Sequence, residues 1–343
     1  MVLSDDIDLL FNDPKSVNIF KTLTEDLFSA LSQYWNIADG VIRGSGISLK
    51  NPSKDFYSLE RNFFSLLFIY SYHKANIPAD RRIFYAAINH CIRGMVTGCD
   101  NILDDEYKKT LDTSLPEKSY RFRSVIDIMV SDRVLFELLC KQHLSGKLAF
   151  ENIIISAHET LKALIKSGVQ EASEEAGVKE FLKPEIILSK VHHYKTGVLF
   201  QCPWAVPALL ESIDSGKKQK LLNALYNIGM GCQIMDDMVD LKRDIRMKRN
   251  NYIASLIYHE PDERNREAFR TMLMDKASHG TADDKDLILN FPDAQKKASC
   301  LSFDYLDKGF GDLFEKDHSG MKNLAISFIA RQIGAAPFLV KES

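Results

Sequence analysis

Asp236, Asp240 and Asp244 recur at every fourth residue of "QIMDDMVDLKRD". On a helix this spacing stacks three carboxylates on one face, with Cβ atoms about 5–6 Å apart. Asp237 lies alongside. Like charges at that interval repel, so a helix keeps them where solvent or a cation offsets the repulsion. The preceding "NIGMGCQIM" is uncharged, so the acids do not continue a solvated face. Hard oxygen donors without His or Cys match magnesium, which binds through one or two carboxylates plus a substrate phosphate.

A second acidic group stands in "DNILDDEYKK", Asp100 to Lys109. Starting a D-D-x-x-D pattern at Asp104 puts Lys108 where the last acid belongs. Starting at Asp100 gives an i, i+4 pair, Asp100 and Asp104, with Asp105 as a second or outer ligand. Each cluster alone is equally a solvated acidic face. Two clusters, each ending an apolar helix and about 135 residues apart, argue for a divalent-ion clamp across a bundle core. A diphosphate would complete it.

The third chemical feature is "HHYKTGVLFQCPW". Lys195 can serve as a point-charge phosphate partner, and Gly197 permits close helix approach. A surface lysine is the plainer reading of this tripeptide taken alone. His192 and His193 are adjacent and cannot share a helix face, so a histidine metal site is not expected.

Helices must position these groups. Apolar residues recur at three- and four-residue spacing in 19–35, 59–74, 81–103, 120–142, 149–168, 185–201, 217–244, near 262–278 and in 286–310. No alternating strand pattern competes with them. Pro78, Pro116, Pro184 and Pro261 fall between periodic segments, while Pro203 and Pro207 predict a kink or break inside one. No linker or repeat divides the chain. The expectation is an all-α fold, one helical domain over residues 1–343.

Composition excludes other classes. A net charge of -3 offers no basic field for nucleic acid. The acidic start "MVLSDDIDLLFNDP" lacks the pattern of a signal peptide, and "FFSLLFIYSY" is too short to span a membrane. Six scattered cysteines with no C-x-x-C pair read as reduced thiols of a cytoplasmic protein.

From about Lys54 to Asp244 the chain resembles the class I terpene synthase and trans-isoprenyl diphosphate synthase superfamily, the polyprenyl synthetase-like group. "LERN" stands at the family's K-x-x-R, "DNILD" at the first aspartate-rich motif, and "VSDRVLF" at G-D-x-L-L with Asp132 as its aspartate. "KTG" matches K-T-G, and "QIMDDMVD" closely matches F-Q-I-x-D-D-x-x-D. The resemblance implies a single large helical bundle of the isoprenoid synthase type with a central pocket. It further implies three magnesium ions on an allylic prenyl diphosphate, and a homodimer. The catalytic acids would be Asp100, Asp104, Asp236 and Asp240. Asp105, Asp237 and Asp244 would join them as metal ligands. Lys195, Arg61, Lys109, Lys248 and Arg249 would contact diphosphate. Val96, Met95, Ile92, Phe200, Trp204 and Gln233 would line the pocket.

The departures bear on the reaction. Ser58 replaces the K-x-x-R lysine, and Arg61 remains. Lys108, Lys109 and Thr110 stand near the family's R-R-G, and Lys is not equivalent to Arg for bidentate diphosphate binding. Asn101 replaces an aspartate. "LKRDIRMKRNNY" replaces the glycine- and lysine-bearing loop, and its "RNNY" lies where cyclases carry a basic, asparagine-rich segment. The metal half reads as complete and the acceptor half as degraded. The primary expectation is therefore a magnesium-dependent terpene cyclase, a lyase releasing diphosphate. The alternative is a prenyltransferase adding isopentenyl diphosphate. A non-catalytic subunit is the third reading.

Overall fold

The helix carrying the first acid cluster shows how the chain folds. Residues Ala79–Leu103 start after Pro78, alternate apolar faces without a break, and stop where Asp104 takes up the C-cap. The computed structural model describes residues 14–260, 263–274 and 284–339. The leader reading of the first thirteen residues lies outside them. The long helices are α1 (Pro14–Ile42), α2 (Leu59–Lys74), α3 (Ala79–Leu103), α4 (Tyr120–Leu144) and α5 (Phe150–Glu174). They continue with α6 (Ser215–Met247), α7 (Tyr252–Tyr258), α8 (Glu263–Met274), α9 (Pro292–Leu313) and α10 (Met321–Ile333). The fold is all-α; among the described residues the sole β pairing is an isolated bridge, Leu49 to Thr113. No described helix is long and apolar enough to cross a membrane.

The segment at 185–201 departs from the simple helix that its periodicity predicts. A helical turn at Pro184–Ile186 widens into a π-helix, Ile187–Gly197, and then tightens into a 3₁₀ helix, Leu199–Trp204. The predicted break occurs: Pro203 lies in the 3₁₀ helix, and Pro207 opens a separate turn. The periodic run at 286–310 also divides, because Pro292 has no N–H to continue a helix and occupies the first turn of α9. Helices α7 and α10 lie in stretches with no helical expectation.

Two compact units emerge. The first takes the described residues up to Leu164 plus Cys202–Gln219. Its core includes Leu23, Leu27, Tyr70, Phe84, Val134 and Leu139, all nearly inaccessible. Gly98 lets α3 lie against α4, since a Cβ there would stand 2.9 Å from the Ser124 carbonyl. A buried Arg82–Asp26 pair at 2.7 Å ties α3 to α1. The second unit takes Ile165–Gln201 and everything described from Lys220 onward. Ile228, Ile234 and Met235 of α6 pack in its core with Leu306 and Phe310 of α9. The Ser302 hydroxyl donates to the Gly231 carbonyl at 3.0 Å.

Candidate active site

In the first unit, Asp100 lies in the last turn of α3 and Asp104 at its C-cap, whose N–H donates to the Asp100 carbonyl at 2.8 Å. Both are half-buried. Asp105 turns away in the left-handed region, φ 54°. There Arg121 Nη2 and the Tyr120 hydroxyl each donate to its Oδ1 at 2.7 Å and hold its carboxyl below the usual range.

Asn101 is fully buried and works as a staple. Its Nδ2 donates to the Lys108 carbonyl at 3.1 Å, and its Oδ1 accepts from the Lys108 N–H at 2.8 Å. An ionised aspartate could not donate, so the departure from the motif has a structural cause. The chain beyond it, Glu106 to Ser114, forms a strap. Burial works to lower the Lys108 ammonium, but Glu106, Asp100 and Asp104 outweigh it and raise its pKa. Lys109 pairs with Asp112 at 3.2 Å.

Arg61 pairs with Asp55 at 3.0 Å and donates to the Lys109 carbonyl. Ser58 is the N-cap of α2, its hydroxyl accepting from the Arg61 N–H at 3.3 Å; a lysine cannot make that cap. Sequence reasoning missed Arg93. Its guanidinium donates to Asn62 Oδ1 at 3.0 Å. Burial, then the charge of Arg61, push its pKa down to about 10. The charge of the half-buried Arg61 thus acts on a desolvated Arg93. His90, buried beside them, is held well below its ordinary range by burial and then by Arg93 and Arg61. The signal was present in one basic residue seven positions before Asp100, on the same helix face as His90.

Along α3, Ile92 is buried, whereas Met95 and Val96 are half-buried. Trp204 belongs to the same unit's core, its indole N–H donating to Ser71 Oγ at 2.8 Å.

The second unit holds the other acids. Asp236 and Asp240 are half-buried on α6. Burial, then Asp240, push Asp236 up to about 6, against Lys195 and Arg243. Arg243 donates to Asp240 at 2.5 Å. Asp244 is buried and pushed up to about 8 by burial and then by Asp237, although it accepts from Asn251 Nδ2 at 2.9 Å. Asp237 is fully engaged with the protein. It accepts from Gln233 Nε2 at 2.9 Å and from the Tyr252 N–H at 2.5 Å, and pairs with His192 Nε2 at 2.9 Å. Burial works to raise it, but His192, the Tyr252 N–H and Gln233 prevail and lower its pKa.

Lys195 reaches Glu171 at 3.3 Å. Burial works to lower its pKa, but Glu171, Asp244 and Asp237 raise it. The π-helix carries it against α6 because Gly229 leaves space: a Cβ there would stand 2.8 Å from the Thr196 carbonyl and 2.9 Å from Phe200. Thr196 donates to Gln233 Oε1. His193 Nδ1 meets the Tyr226 hydroxyl at 2.9 Å. The two histidines therefore part, as adjacency requires. Lys248 is left-handed, φ 55°, and its carbonyl accepts from the Val178 N–H at 2.7 Å. The Arg249 N–H donates to the Asp244 carbonyl at 2.8 Å. "RNNY" is thus a helix-to-helix turn in which Asn251 caps α7.

Among the described residues no three His, Cys, Asp or Glu side chains have converged into a metal cage. The donor set nevertheless fits magnesium. Asp236, Asp240 and Asp244 are crowded oxygen donors, two of them with raised pKa values, a repulsion that a divalent cation relieves.

The polyprenyl synthetase family matches residues 128–253. In solved structures, the chain is similar to geranylgeranyl pyrophosphate synthetase from Pyrococcus horikoshii, with 16% identity and a TM-score of 0.59 over 91% of this chain and 98% of that one. Over residues 128–253 the chain is similar to that family, and over most of its length it shares the fold of these synthases. Geranylgeranyl pyrophosphate synthase from Corynebacterium glutamicum shares its fold at 14% identity and TM-score 0.63, over 97% and 96% of the two chains. A Caulobacter crescentus polyprenyl synthase, complexed with calcium and isoprenyl diphosphate, is similar at 14% identity and TM-score 0.59, over 91% and 98%. No curated protein sequence matches the chain. These polyprenyl synthetase relatives overturn the expectation of a terpene cyclase and of lyase chemistry. The "RNNY" segment behind that expectation is accounted for by capping.

Proposed function

We propose that the protein is a trans-prenyl diphosphate synthase, a transferase that condenses an allylic diphosphate with isopentenyl diphosphate. The observation that carries this is the Arg61–Arg93 pair beside the strap that follows Asp100 and Asp104. It supplies a second anion seat, and a cyclase has only one diphosphate to hold. The metal ligands are assigned to Asp100, Asp104, Asp236, Asp240 and Asp244, for three magnesium ions. Asp105 and Asp237 are given over to protein contacts. Residues 1–343 are treated as one functional domain.

Bound magnesium supplies Lewis acidity at the leaving diphosphate. Lys195 and Lys108 add fixed positive charge beside the acids, favouring departure of the pyrophosphate anion. The allylic C–O bond breaks, the isopentenyl double bond attacks C1, and loss of one proton restores a neutral chain ending in the acceptor's diphosphate. Met95 and Val96, one turn before Asp100, are placed against the growing chain.

A homodimer belongs to the same reading and is supported by α5. Phe150, Ile154, Leu161, Ile165 and Val169 are all exposed on it. With His158 included, the gaps run 4, 4, 3, 4, 4, and an antiparallel copy would meet the same pattern. The test is incubation with magnesium and allylic diphosphates of two to five isoprene units, each with and without isopentenyl diphosphate. Longer diphosphates should form only when both are present. Hydrocarbon or alcohol from the allylic substrate alone would sink the reading.

A further inference from the structure

Beneath the strap lies a carboxyl that the reaction does not use. Asp127, on α4, is 1% exposed. Neither of its oxygens has a hydrogen-bond partner of normal geometry, and neither do the buried hydroxyls of Thr110 and Thr113. The strap is fastened at both ends. Asn101 grips Lys108, and Arg61 grips the Lys109 carbonyl. Arg123 Nη2 donates to the carbonyls of Thr113 at 3.0 Å and Leu115 at 2.6 Å. The Lys50 N–H donates to Asp112 O at 2.8 Å, and the Ser114 N–H to Ser48 O at 2.9 Å. Between these fastenings stand Thr110 and Leu111, near enough to Asp127 for their N–H groups and the Thr110 hydroxyl to favour its charged form.

We propose that Asp127 is a positioning residue for the Lys108–Lys109 strap, setting from below how closely the strap lies on α4. Resting on the synthase reading, this extends to binding of the second diphosphate.

Opposing influences act on the carboxyl. Burial pushes it up to about 7, against Thr110, the Leu111 N–H and Arg123. The other charged or titratable groups facing it are Tyr34 of α1 and Tyr107 of the strap, which itself feels Asp112. The closed strap therefore favours the neutral carboxyl, and opening hydrates the charged one. With the closed form titrating at about 7 and an exposed Asp near 4, the closing equilibrium weakens about tenfold from pH 6 to pH 8.

Lys108 and Lys109 are exposed, so trypsin can read the open population. Nicking at these lysines is measured at pH 6, 7 and 8 in the full-length protein and in Asp127→Asn. The variant keeps the shape and cannot ionise, and comparison at each pH cancels the protease's own pH response. The wild-type to variant ratio should rise about tenfold across the range. Thr110→Val should move the midpoint to higher pH, since its hydroxyl favours the charged form. KM for isopentenyl diphosphate should climb with pH in the wild type relative to Asp127→Asn. A nicking ratio that is flat with pH overturns the proposal, whatever the turnover. A nicking response without condensation by any substrate pair sinks the synthase reading and leaves the hold of Asp127 on the strap standing.

Discussion

At the level of single residues, the acids differ in what already holds them. Asp105 and Asp237 are satisfied by Arg121 and by His192, respectively. Asp236 and Asp244 are carboxylates whose charge the surroundings oppose. Asp104→Ala and Asp240→Ala should each lower turnover about a thousandfold or more, because in the proposed reaction diphosphate departure depends on the metal. Circular dichroism should stay helical; retained activity in both variants would end the metal assignment. Arg93→Gln removes the charged donor to Asn62. Losing such a bond is worth about 1.5–3 kcal/mol. KM for isopentenyl diphosphate should rise at least tenfold, with KM for the allylic substrate little changed. Equal changes in both would remove Arg93 from the acceptor seat.

At the level of elements, the π-helix and α6 work as a pair. The wide turn at Ile187–Gly197 places Lys195 toward Glu171, and Thr196 against Gln233. Gly229→Ala puts a methyl group 2.8 Å from the Thr196 carbonyl, which is backbone and cannot swing aside. The variant should lose about 1–3 kcal/mol of stability and fall in Tm, with kcat reduced as Lys195 shifts. An unchanged Tm and kcat would show that the two helices do not need this contact. A wide helical turn of this kind is frequent at functional sites, and periodicity alone reads it as an ordinary helix.

At the level of the whole molecule, charge and association are testable together. Asp236 and Asp244 have raised folded-state pKa values, of about 6 and about 8. At these two carboxyls the folded chain therefore holds more protons than the unfolded chain between pH 4 and 8. Their contribution to metal-free stability is full below about pH 4 and is lost as pH rises through 6 and 8, and replacing both by Asn should remove that part of the pH dependence of Tm. Magnesium should restore the lost stability, with a larger Tm rise at pH 8 than at pH 5, because the ligands must be ionised to bind. A pH-independent metal shift would contradict this assignment. On α5, Ile154→Glu combined with Ile165→Glu puts charge into the exposed apolar stripe. Light scattering should then report a monomer, and the wild type the proposed dimer; an equal mass for both would remove α5 from the proposed interface.

Local pattern by itself determined the helices that carry the acids, and it proposed the register that begins at Asp100. Both depend on spacing of three to four residues, which is geometry within one helix. It also showed the break at Pro203 and Pro207, where a missing N–H ends the ladder. Only the tertiary structure decided which of those acids are spoken for. Asp237 is held by His192, 45 residues away, and Asn101 and Asn251 are staples rather than eroded ligands. The cyclase expectation arose there, because a capping asparagine and a ligand asparagine are the same letter. Arg93 and Asp127 were legible only as a cation and an acid among the other residues of their helices. What they do comes from burial next to Arg61 and beneath Thr110, and burial is set by segments far off in the chain.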